Sequence, residues 1–255
     1  MTTGVFPFEL DLMQAVLSQL IPALDAMESA ELTLERTSAL TEAQGIYLLL
    51  YENMVCYVGK TDAEAGLKTR LSRHVRKFEH RRNVAPSDIQ FKAAQIYVFT
   101  AMDIETKLIN HYDPRWDRSG FGSNDPGRNR ETTNKPELGF DAQFPIDIDI
   151  PIILPSGLMT VHEALMSLKN TLPYTLRYEV TLPAGRKEVN AHDYRLNPHQ
   201  DMLTSQVTLP EDRITVRNAL RLITSSLPTG WQATYFVSHV ILYKENLTYV
   251  HGTPI

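Results

Sequence analysis

Residues 45–59 read Gly-Ile-Tyr-Leu-Leu-Leu-Tyr-Glu-Asn-Met-Val-Cys-Tyr-Val-Gly, and this stretch decides the fold of the first part of the chain. Two apolar runs flank a short polar turn, which predicts two antiparallel strands in a hairpin. Side chains alternate between the faces of a strand, so Tyr47 and Tyr57 share a face only if the loop has an odd number of residues. A loop of residues 52–54 meets this condition.

In that register Tyr51 pairs with Val55, and one face of the hairpin becomes wholly apolar. A shift by one residue would mix apolar and polar side chains on both faces, so burial favours the register that aligns the two phenols. The side chains expected on the apolar face are Ile46, Leu48, Leu50, Cys56 and Val58.

The pattern around the hairpin predicts a small sheet flanked by helices. Apolar positions at helical spacing over residues 9–30 predict a helix, which Pro22 should kink or split in two. Further predicted elements are helices at Leu67–His80 and Asp103–Tyr112, a third strand at the end of residues 90–100, and a polar loop over residues 117–136.

The C-terminal part predicts a second α+β domain. Residues 145–151 alternate strictly, which predicts a half-buried strand. Residues 159–173 and 214–228 lie 55 positions apart, and each carries a threonine N-cap, an amphipathic helix and a proline exit. Strands at Tyr174–Leu182 and Gln232–Tyr243 should follow the two helices.

The expected organisation is therefore α+β throughout, in three parts. Residues 1–44 form a helical extension, residues 45–136 form the first domain, and residues 145–255 form the second, which contains a weak internal repeat.

Composition bounds the compartment and the chemistry. The 255 residues include one cysteine, Cys56, so no internal disulfide forms and no Cys/His cluster has zinc-finger spacing. Cys56 falls on the apolar face and is expected to be an inert buried thiol. The N-terminus makes a poor signal peptide and no apolar run can span a bilayer. We expect a soluble, cytoplasmic protein with no membrane partner.

Positive charge is concentrated in the middle third of the chain. Residues 45–135 carry fifteen basic and eleven acidic side chains, although the whole chain has a net charge of −5. A local basic stripe attracts phosphates even on an acidic protein, because salt screens distant charges beyond about 10 Å. A solvated helix face is the alternative for a charge run alone. The candidate DNA contacts are Arg73, Arg76, Lys77, Arg81, Arg128 and Arg130.

Three further residues have the chemistry of a phosphate site. Arg70 and His74 are four apart on a predicted helix and so lie on one face. Glu105 begins another helix, where the helix dipole favours a carboxylate. Mg²⁺ prefers one or two carboxylates together with water and phosphate oxygens.

In content, order and spacing these residues resemble the GIY-YIG nucleases. The resemblance rests on Gly45-Ile46-Tyr47, Tyr57-Val58-Gly59-Lys60-Thr61, Arg70 with His74, and Glu105. The segment Tyr112–Asp117 and the loop Gly120-Phe121-Gly122 through Gly127 resemble the restriction-endonuclease branch. The resemblance covers about 90 of the 255 residues. It implies hydrolysis of DNA phosphodiester bonds at one metal site.

The resemblance also implies roles for individual side chains. Glu105 would be the sole protein ligand of Mg²⁺, with Mn²⁺ as a substitute. Tyr47 would help to activate the attacking water, with His74 taking up or relaying its proton. Tyr57 would orient the water or the phosphate, while Arg70, assisted by Lys60, would stabilise the extra negative charge of the transition state.

One residue departs from the pattern of the restriction branch. Asp117 stands where that branch usually has asparagine after Pro-x-Trp, and a carboxylate only accepts hydrogen bonds. Asp117 joining the metal shell, Asn124 supplying the amide, and weakened activity stay open as readings of this difference.

Three functions remain to be separated. The first is a restriction or defence endonuclease that acts on double-stranded DNA, with a homodimer matching a palindromic site. The second is a nuclease fold that binds or assembles without cutting, and the third is a structure-specific repair nuclease. Residues 145–255 could recognise DNA, dimerise or dock a partner protein.

Overall fold

The computed structural model describes Gly4, Glu9 and residues 11–61, 64–97, 104–117, 121–122, 129–132, 139–186 and 188–255. Within these ranges the chain forms two compact units. The first comprises residues 1–75 and 86–122, and the second comprises residues 76–85 and 123–255.

The first unit is built on a four-stranded antiparallel sheet with the order β1-β4-β2-β3. Its elements are α1 (Leu12–Ala26), β1 (Ala30–Glu31), α2 (Leu34–Ser38), β2 (Gly45–Tyr51), β3 (Met54–Lys60), α3 (Leu67–Glu79), β4 (Ile89–Gln95) and α4 (Ile104–Tyr112). A 3-10 turn at Pro86–Asp88 precedes β4, and the last turn of α3 is counted with the second unit.

The hairpin reaches the predicted alignment by a different route. The turn has two residues, Glu52 and Asn53, both with positive φ (54° and 62°), as the mirror-image turns of hairpins require. The register then shifts by one, because Leu50 pairs with Val55 while Leu49 pairs with Tyr57. The predicted three-residue loop is wrong. A bulge supplies the extra residue, so Tyr47 and Tyr57 still share a face.

The extra residue in the bulge is Cys56. It is buried, and its thiol donates to the Leu49 carbonyl oxygen at 3.2 Å. Burial raises the pKa of this thiol and so favours its protonated form, and the predicted burial of Cys56 is confirmed. Val55, not Cys56, packs with the aliphatic face, whose other hairpin members are the predicted Ile46, Leu48, Leu50 and Val58.

Helices cover both faces of the sheet. Ile104 and Leu108 of α4, together with Leu24 of α1, pack on the aliphatic face. His74 of α3 contacts the rings of the two tyrosines on the other face. Pro22 lies inside α1 and does not divide it, contrary to the predicted split. Pro22 is exposed, so water can hydrate the carbonyl group that lacks a partner.

The second unit contains a mixed sheet with the order β12-β10-β11-β7 and two short antiparallel pairs, β5 with β9 and β6 with β8. Its elements are α5 (Asn129–Thr132), α6 (Phe140–Gln143), β5 (Pro151–Ile152), β6 (Gly157–Thr160), α7 (Val161–Thr171), β7 (Thr175–Tyr178), α8 (Asp193–Leu196), α9 (Gln200–Thr204), β8 (Gln206–Leu209), β9 (Ile214–Thr215), α10 (Val216–Ser226), β10 (Gln232–Tyr235), β11 (His239–Tyr243) and β12 (Thr253–Pro254). The predicted α+β class is confirmed.

The two helices of the predicted repeat contribute buried side chains to one core. Thr160 and Thr215 cap α7 and α10 through side-chain oxygens. The buried side chains of the two helices are also 55 positions apart: Val161, Ala164, Leu165 and Leu168 in α7, and Val216, Ala219, Leu220 and Ile223 in α10. The helix predictions are confirmed, while the domain boundaries and the repeat stay predictions.

Two strand predictions in this unit are wrong. Residues 145–151 form no continuous strand, although Ile146 and Ile148 are buried as the alternation requires. Their backbone groups bond to separate segments, as in the bond from Asp147 N to His80 O, and Asp149 N bonds to the Asp147 side chain. Residues 232–243 form two strands, because the chain reverses between Tyr235 and His239. The polar loop predicted over residues 117–136 contains the short helix α5.

Two neighbouring arginines in the second unit pair with aspartates at different depths. Arg81 binds Asp141 at 2.9 Å, and its side chain is 3% exposed. Arg82 binds Asp147 and Asp149 at 3.3 and 3.0 Å, and its side chain is 42% exposed. Losing one partner of a buried pair leaves an uncompensated charge, whereas an exposed pair is hydrated.

We expect Arg81→Ala to lower the free energy of unfolding by about 3–5 kcal/mol, because it strands the Asp141 carboxylate. Arg82→Ala is the matched control and should cost about 0–1 kcal/mol. Urea denaturation of both variants measures the difference. Equal losses for the two substitutions would contradict the burial argument.

Candidate active site

The Tyr47 ring crosses the neighbouring strand at Gly59. The two residues pair between β2 and β3, and the Tyr47 side chain is fully buried. A Cβ atom at Gly59 would stand 2.4 Å from ring carbon Cζ and 2.5 Å from the Tyr47 hydroxyl oxygen. Only glycine leaves room for this approach, which brings the phenol hydroxyl to the end of the edge strand β3.

Three of the other predicted side chains converge on this hydroxyl group. The Tyr47 oxygen lies 2.9 Å from His74 Nε2, and it also hydrogen-bonds with Tyr57 and Arg70. The ring centroids of Tyr57 lie 6.1 Å from Tyr47 and 5.6 Å from His74. Arg70 and His74 are one turn apart on α3, as the sequence predicted.

The environment keeps both phenols protonated. Burial raises the pKa of Tyr47 above its ordinary value of about 10, and the positive charge of Arg70 only partly opposes this. Burial also raises the pKa of Tyr57, with the neighbouring Tyr47 as the next cause. Tyr47 can therefore accept a proton near neutral pH only while it passes its own proton to an acceptor such as His74 Nε2.

Glu105 approaches the phenols from the helix on the opposite face. It lies in the first turn of α4, next to Ile104, which packs on the aliphatic side of the sheet. Its carboxylate extends to Lys60, the last residue of β3, with 3.0 Å between Oε2 and Nζ. The charge of Glu105 contributes to the raised pKa of both phenols. The end of the edge strand is therefore where side chains from both faces meet.

The segment after α4 covers the outer edge of β3. Trp116 N donates to the Cys56 carbonyl oxygen, and Val58 N donates to Asp117 Oδ2, each at 2.8 Å. The outer side of the edge strand is thereby hydrogen-bonded by the turn that follows α4. Asp117 accepts a hydrogen bond here, which either a carboxylate or an amide oxygen can do.

Burial raises the pKa of Asp117 to about 6, and the charge of Glu105 adds to the shift, while the hydrogen bond from Val58 opposes it. Glu105 therefore lies close enough for its charge to disfavour the ionised form of Asp117.

The predicted DNA contacts fall into different environments. Arg73 and Arg76 are exposed, and Lys77 is partly buried with its ammonium 5.4 Å from the centre of the Phe140 ring. Arg81 must be corrected, because its buried guanidinium serves Asp141 and the Phe144 carbonyl oxygen and faces no solvent. Asn124, Arg128 and the side chain of Arg130 lie outside the described residues.

Two residues at the site were not given a role by the sequence. Phe121 stacks on the His74 ring with centroids 5.2 Å apart, and it meets the Tyr57 ring edge-on at 4.8 Å. Gly122 lies against the Tyr57 hydroxyl group. The Gly-Phe-Gly stretch was the available signal, but its contacts depend on how the loop folds back.

Within the described ranges, no group of three or more His, Cys, Asp or Glu side chains is placed to hold a metal ion. In the same ranges, no helix is both long enough and apolar enough to cross a membrane.

The four-stranded antiparallel sheet and its flanking helices are consistent with a GIY-YIG domain. Residues 53–141 match the model of the family described as the Eco29kI GIY-YIG domain. The match includes Tyr57, His74 and Glu105 but begins after Tyr47, and it confirms the resemblance found in the sequence. No curated protein sequence matches the chain.

The raised pKa of Asp117 makes the stability of the protein depend on pH. The folded state favours the protonated carboxyl group, so its stabilising contribution is complete below pH 3.8 and is lost as the pH rises through about 6. At pH 8 the ionised carboxylate therefore destabilises the fold.

We expect Asp117→Asn to raise the free energy of unfolding at pH 8 by about 1–2 kcal/mol, after allowance for partial exposure, and to change it little at pH 4. The amide oxygen can still accept the hydrogen bond from Val58. The exposed Asp212→Asn substitution is the control, with a change below about 0.5 kcal/mol at either pH. A variant less stable than wild type at pH 8 would refute the assignment.

Proposed function

We propose that this protein is a metal-dependent endonuclease that hydrolyses phosphodiester bonds in double-stranded DNA. The observation that carries the proposal is the hydrogen bond of 2.9 Å between the Tyr47 hydroxyl group and His74 Nε2, beside Arg70 and near Glu105. The GIY-YIG domain supports nuclease chemistry in general.

The phenol and the imidazole form a proton relay in this proposal. A water molecule that attacks phosphorus must lose a proton, and in this proposal His74 Nε2, which lies 2.9 Å from the Tyr47 oxygen, receives a proton through Tyr47. Tyr47 accepts the proton of the water while its own proton moves to His74 Nε2. The raised pKa of Tyr47 supports a relay, since a free phenolate would be scarce near neutral pH.

Positive side chains stabilise the developing negative charge in this proposal. Arg70 hydrogen-bonds with the Tyr47 hydroxyl group and so lies beside the attacking oxygen. Lys60 lies at the end of β3, half-exposed, where a phosphate can reach its ammonium group. Both groups are worth more to the transition state than to the ground state, because negative charge accumulates as the bond to phosphorus forms.

The donor set at Glu105 fits a single divalent cation that arrives with the DNA. Its carboxylate already attracts the Lys60 ammonium group at 3.0 Å, which marks a position that favours positive charge. Mg²⁺ commonly binds one or two carboxylates and completes its shell with water and phosphate oxygens. Glu105 would hold Mg²⁺ or Mn²⁺, and Asp117 is the nearby candidate for a second carboxylate. When bound, the ion would neutralise charge on the phosphate and stabilise the leaving oxygen.

The biological setting is the finer part of the proposal. The match to the Eco29kI GIY-YIG domain supports a restriction or defence nuclease, for which we propose a cytoplasmic location. Action on a palindromic site by a homodimer would follow from the matching two-fold symmetry of protein and DNA. Residues 145–255 would then recognise DNA, form the dimer or bind a partner protein.

Cleavage of supercoiled plasmid DNA tests the chemistry. We expect Mg²⁺-dependent nicking or linearisation that is lost with a chelator. Tyr47→Phe removes one hydroxyl group and should lower kcat about 10²- to 10⁴-fold, while Glu105→Gln should abolish cleavage. Tyr51→Phe in the same strand and Glu35→Gln on exposed α2 are matched controls that should retain activity. A folded wild type that cuts no DNA would overturn the proposal.

Asp117 favours a second candidate, a nuclease fold that binds DNA without efficient cutting. Asp117 places a second carboxylate close to Glu105, where the asparagine usual in the restriction branch would be neutral. If Asp117→Asn raises kcat well above wild type, the weakened enzyme is the better description. Sequencing of the DNA ends separates both candidates from a structure-specific nuclease, which would cut at flaps or junctions without a preferred sequence.

The exposed face of α3 should supply the phosphate contacts. We expect Arg76→Ala and Arg73→Ala each to weaken DNA binding across sequences and to reduce the slope of log K against log salt by about 1. Arg36→Ala, an exposed arginine on α2, is the control. Titrations at several salt concentrations measure the slopes, and unchanged slopes for both α3 variants would place the DNA elsewhere.

A further inference from the structure

The Phe121 ring closes an aromatic box around His74. The imidazole has the Tyr47 and Tyr57 rings at 5.5 and 5.6 Å, and Phe121 lies nearly parallel to it, with planes 14° apart and centroids at 5.2 Å. Rotation of the imidazole about its Cβ–Cγ bond would break both the stack and the hydrogen bond to the Tyr47 hydroxyl group. The box therefore holds the ring plane in which Nε2 meets that oxygen.

The same ring orients Tyr57. Phe121 and Tyr57 meet edge to face at 4.8 Å with planes 67° apart, a favoured geometry for an aromatic pair. Phe121 is 5% exposed, so the contact is shielded from water. One phenylalanine thus touches two of the side chains assigned to the reaction.

The loop that carries Phe121 is anchored to the edge strand. Phe121 N donates to the Trp116 carbonyl oxygen at 3.2 Å, and the Trp116 ring lies 5.4 Å from the Phe121 ring. Trp116 N in turn donates to Cys56, the bulge residue of the hairpin, at 2.8 Å. These contacts therefore fix the position of Phe121 relative to β3, the strand that carries Tyr57.

Gly122 sets the position of the Tyr57 hydroxyl group. A Cβ atom at Gly122 would stand 2.4 Å from the Tyr57 oxygen and 3.0 Å from two ring carbons. Gly122 does not have the left-handed backbone conformation that favours glycine, so the requirement is one of space. The backbone at Gly122 forms a wall against which the phenol rests.

We propose that Phe121 and Gly122 are positioning residues that hold the His74 imidazole and the Tyr57 phenol in their reactive orientation. This inference rests on the proposed function. Neither residue supplies a proton, a charge or a metal ligand; both act through the side chains they touch. A misplacement of about 1 Å in such a group can cost about 10²-fold in rate.

The test compares ring shape with volume. Phe121→Met fills a similar volume without a planar ring, whereas Phe121→Tyr keeps the ring. We expect Phe121→Met to lower kcat on a cleavable DNA duplex by about 10- to 100-fold with KM within about threefold. Phe121→Tyr should restore kcat to within about threefold of wild type. Phe91→Met removes another buried ring of the first unit and is the control for lost stability, with kcat per folded molecule unchanged.

A second measurement does not require activity. The full-length protein labelled at its eight histidines gives ring-proton signals, and the His74 signal is assigned by its absence in His74→Gln. A ring stacked on the imidazole shifts that signal upfield. We expect the shift to be lost in Phe121→Met and kept in Phe121→Tyr and Phe91→Met.

Gly122→Ala tests the wall by a double-mutant cycle. We expect Gly122→Ala to lower kcat about tenfold, and to lower the free energy of unfolding less in a Tyr57→Phe background, where the hydroxyl group it would strike is absent. An equal loss of stability in both backgrounds would overturn the role of Gly122.

The outcomes separate this inference from the proposed function. If the wild type cleaves DNA, a Phe121→Met variant that keeps kcat within threefold overturns the role of Phe121. If the wild type cuts nothing, the proposed function fails, and the histidine spectra still decide whether Phe121 fixes the His74 ring. An unmoved His74 signal in Phe121→Met overturns the inference in either case.

Discussion

The extra residue at Cys56 determines which side chains can meet. In a hairpin closed by a two-residue turn, the residue numbers of each pair add up to the same total along the two strands. The bulge increases this total by one for the pairs on the far side of Leu50 from the turn. Without it, Tyr47 would oppose Val58, and the two phenols would project from opposite faces. With it, the ring of Tyr47 lies over Gly59, and the aliphatic side chains remain together under α4. The alignment of the two phenols and the packing of the core thus depend on the same irregularity.

Strand β3 lies at the edge of the sheet, so one of its sides pairs with no other strand of that sheet. The Trp116–Asp117 segment occupies that side through bonds to Cys56 and Val58. This docking brings Asp117 close to Glu105 and positions the loop that carries Phe121. A purely protective device for an exposed edge would need only the backbone contacts. Here the covering segment also contributes polar and aromatic side chains to the site.

Sequence reasoning anticipated which side chains lie together because the signals for them are local or periodic. Arg70 and His74 share a face by helical spacing, and the alignment of the phenols followed from the need to bury the aliphatic side chains together. The predicted loop length was wrong because one extra residue in the turn and one extra residue in the strand have the same effect on which side chains share a face of the hairpin. In sequence, Arg81 resembles the exposed arginines of the same basic stretch. In the structure it is buried and pairs with Asp141, which is distant in sequence. The alternation at residues 145–151 correctly indicated which side chains are buried, but these residues form no continuous strand. Periodicity alone cannot distinguish a strand from an irregular segment with alternating burial.

A second buried ion pair in the second unit joins Glu131, inside the matched residues, to Arg177, outside them. Glu131 lies within the matched residues 53–141, and its carboxylate binds Arg177 of β7 at 2.6 Å, with both side chains at most 4% exposed. A gene fragment ending at residue 141 would contain every residue of the family match and still lack the counterion of Glu131. The family match therefore ends at residue 141 inside the second unit, and not at the end of that unit.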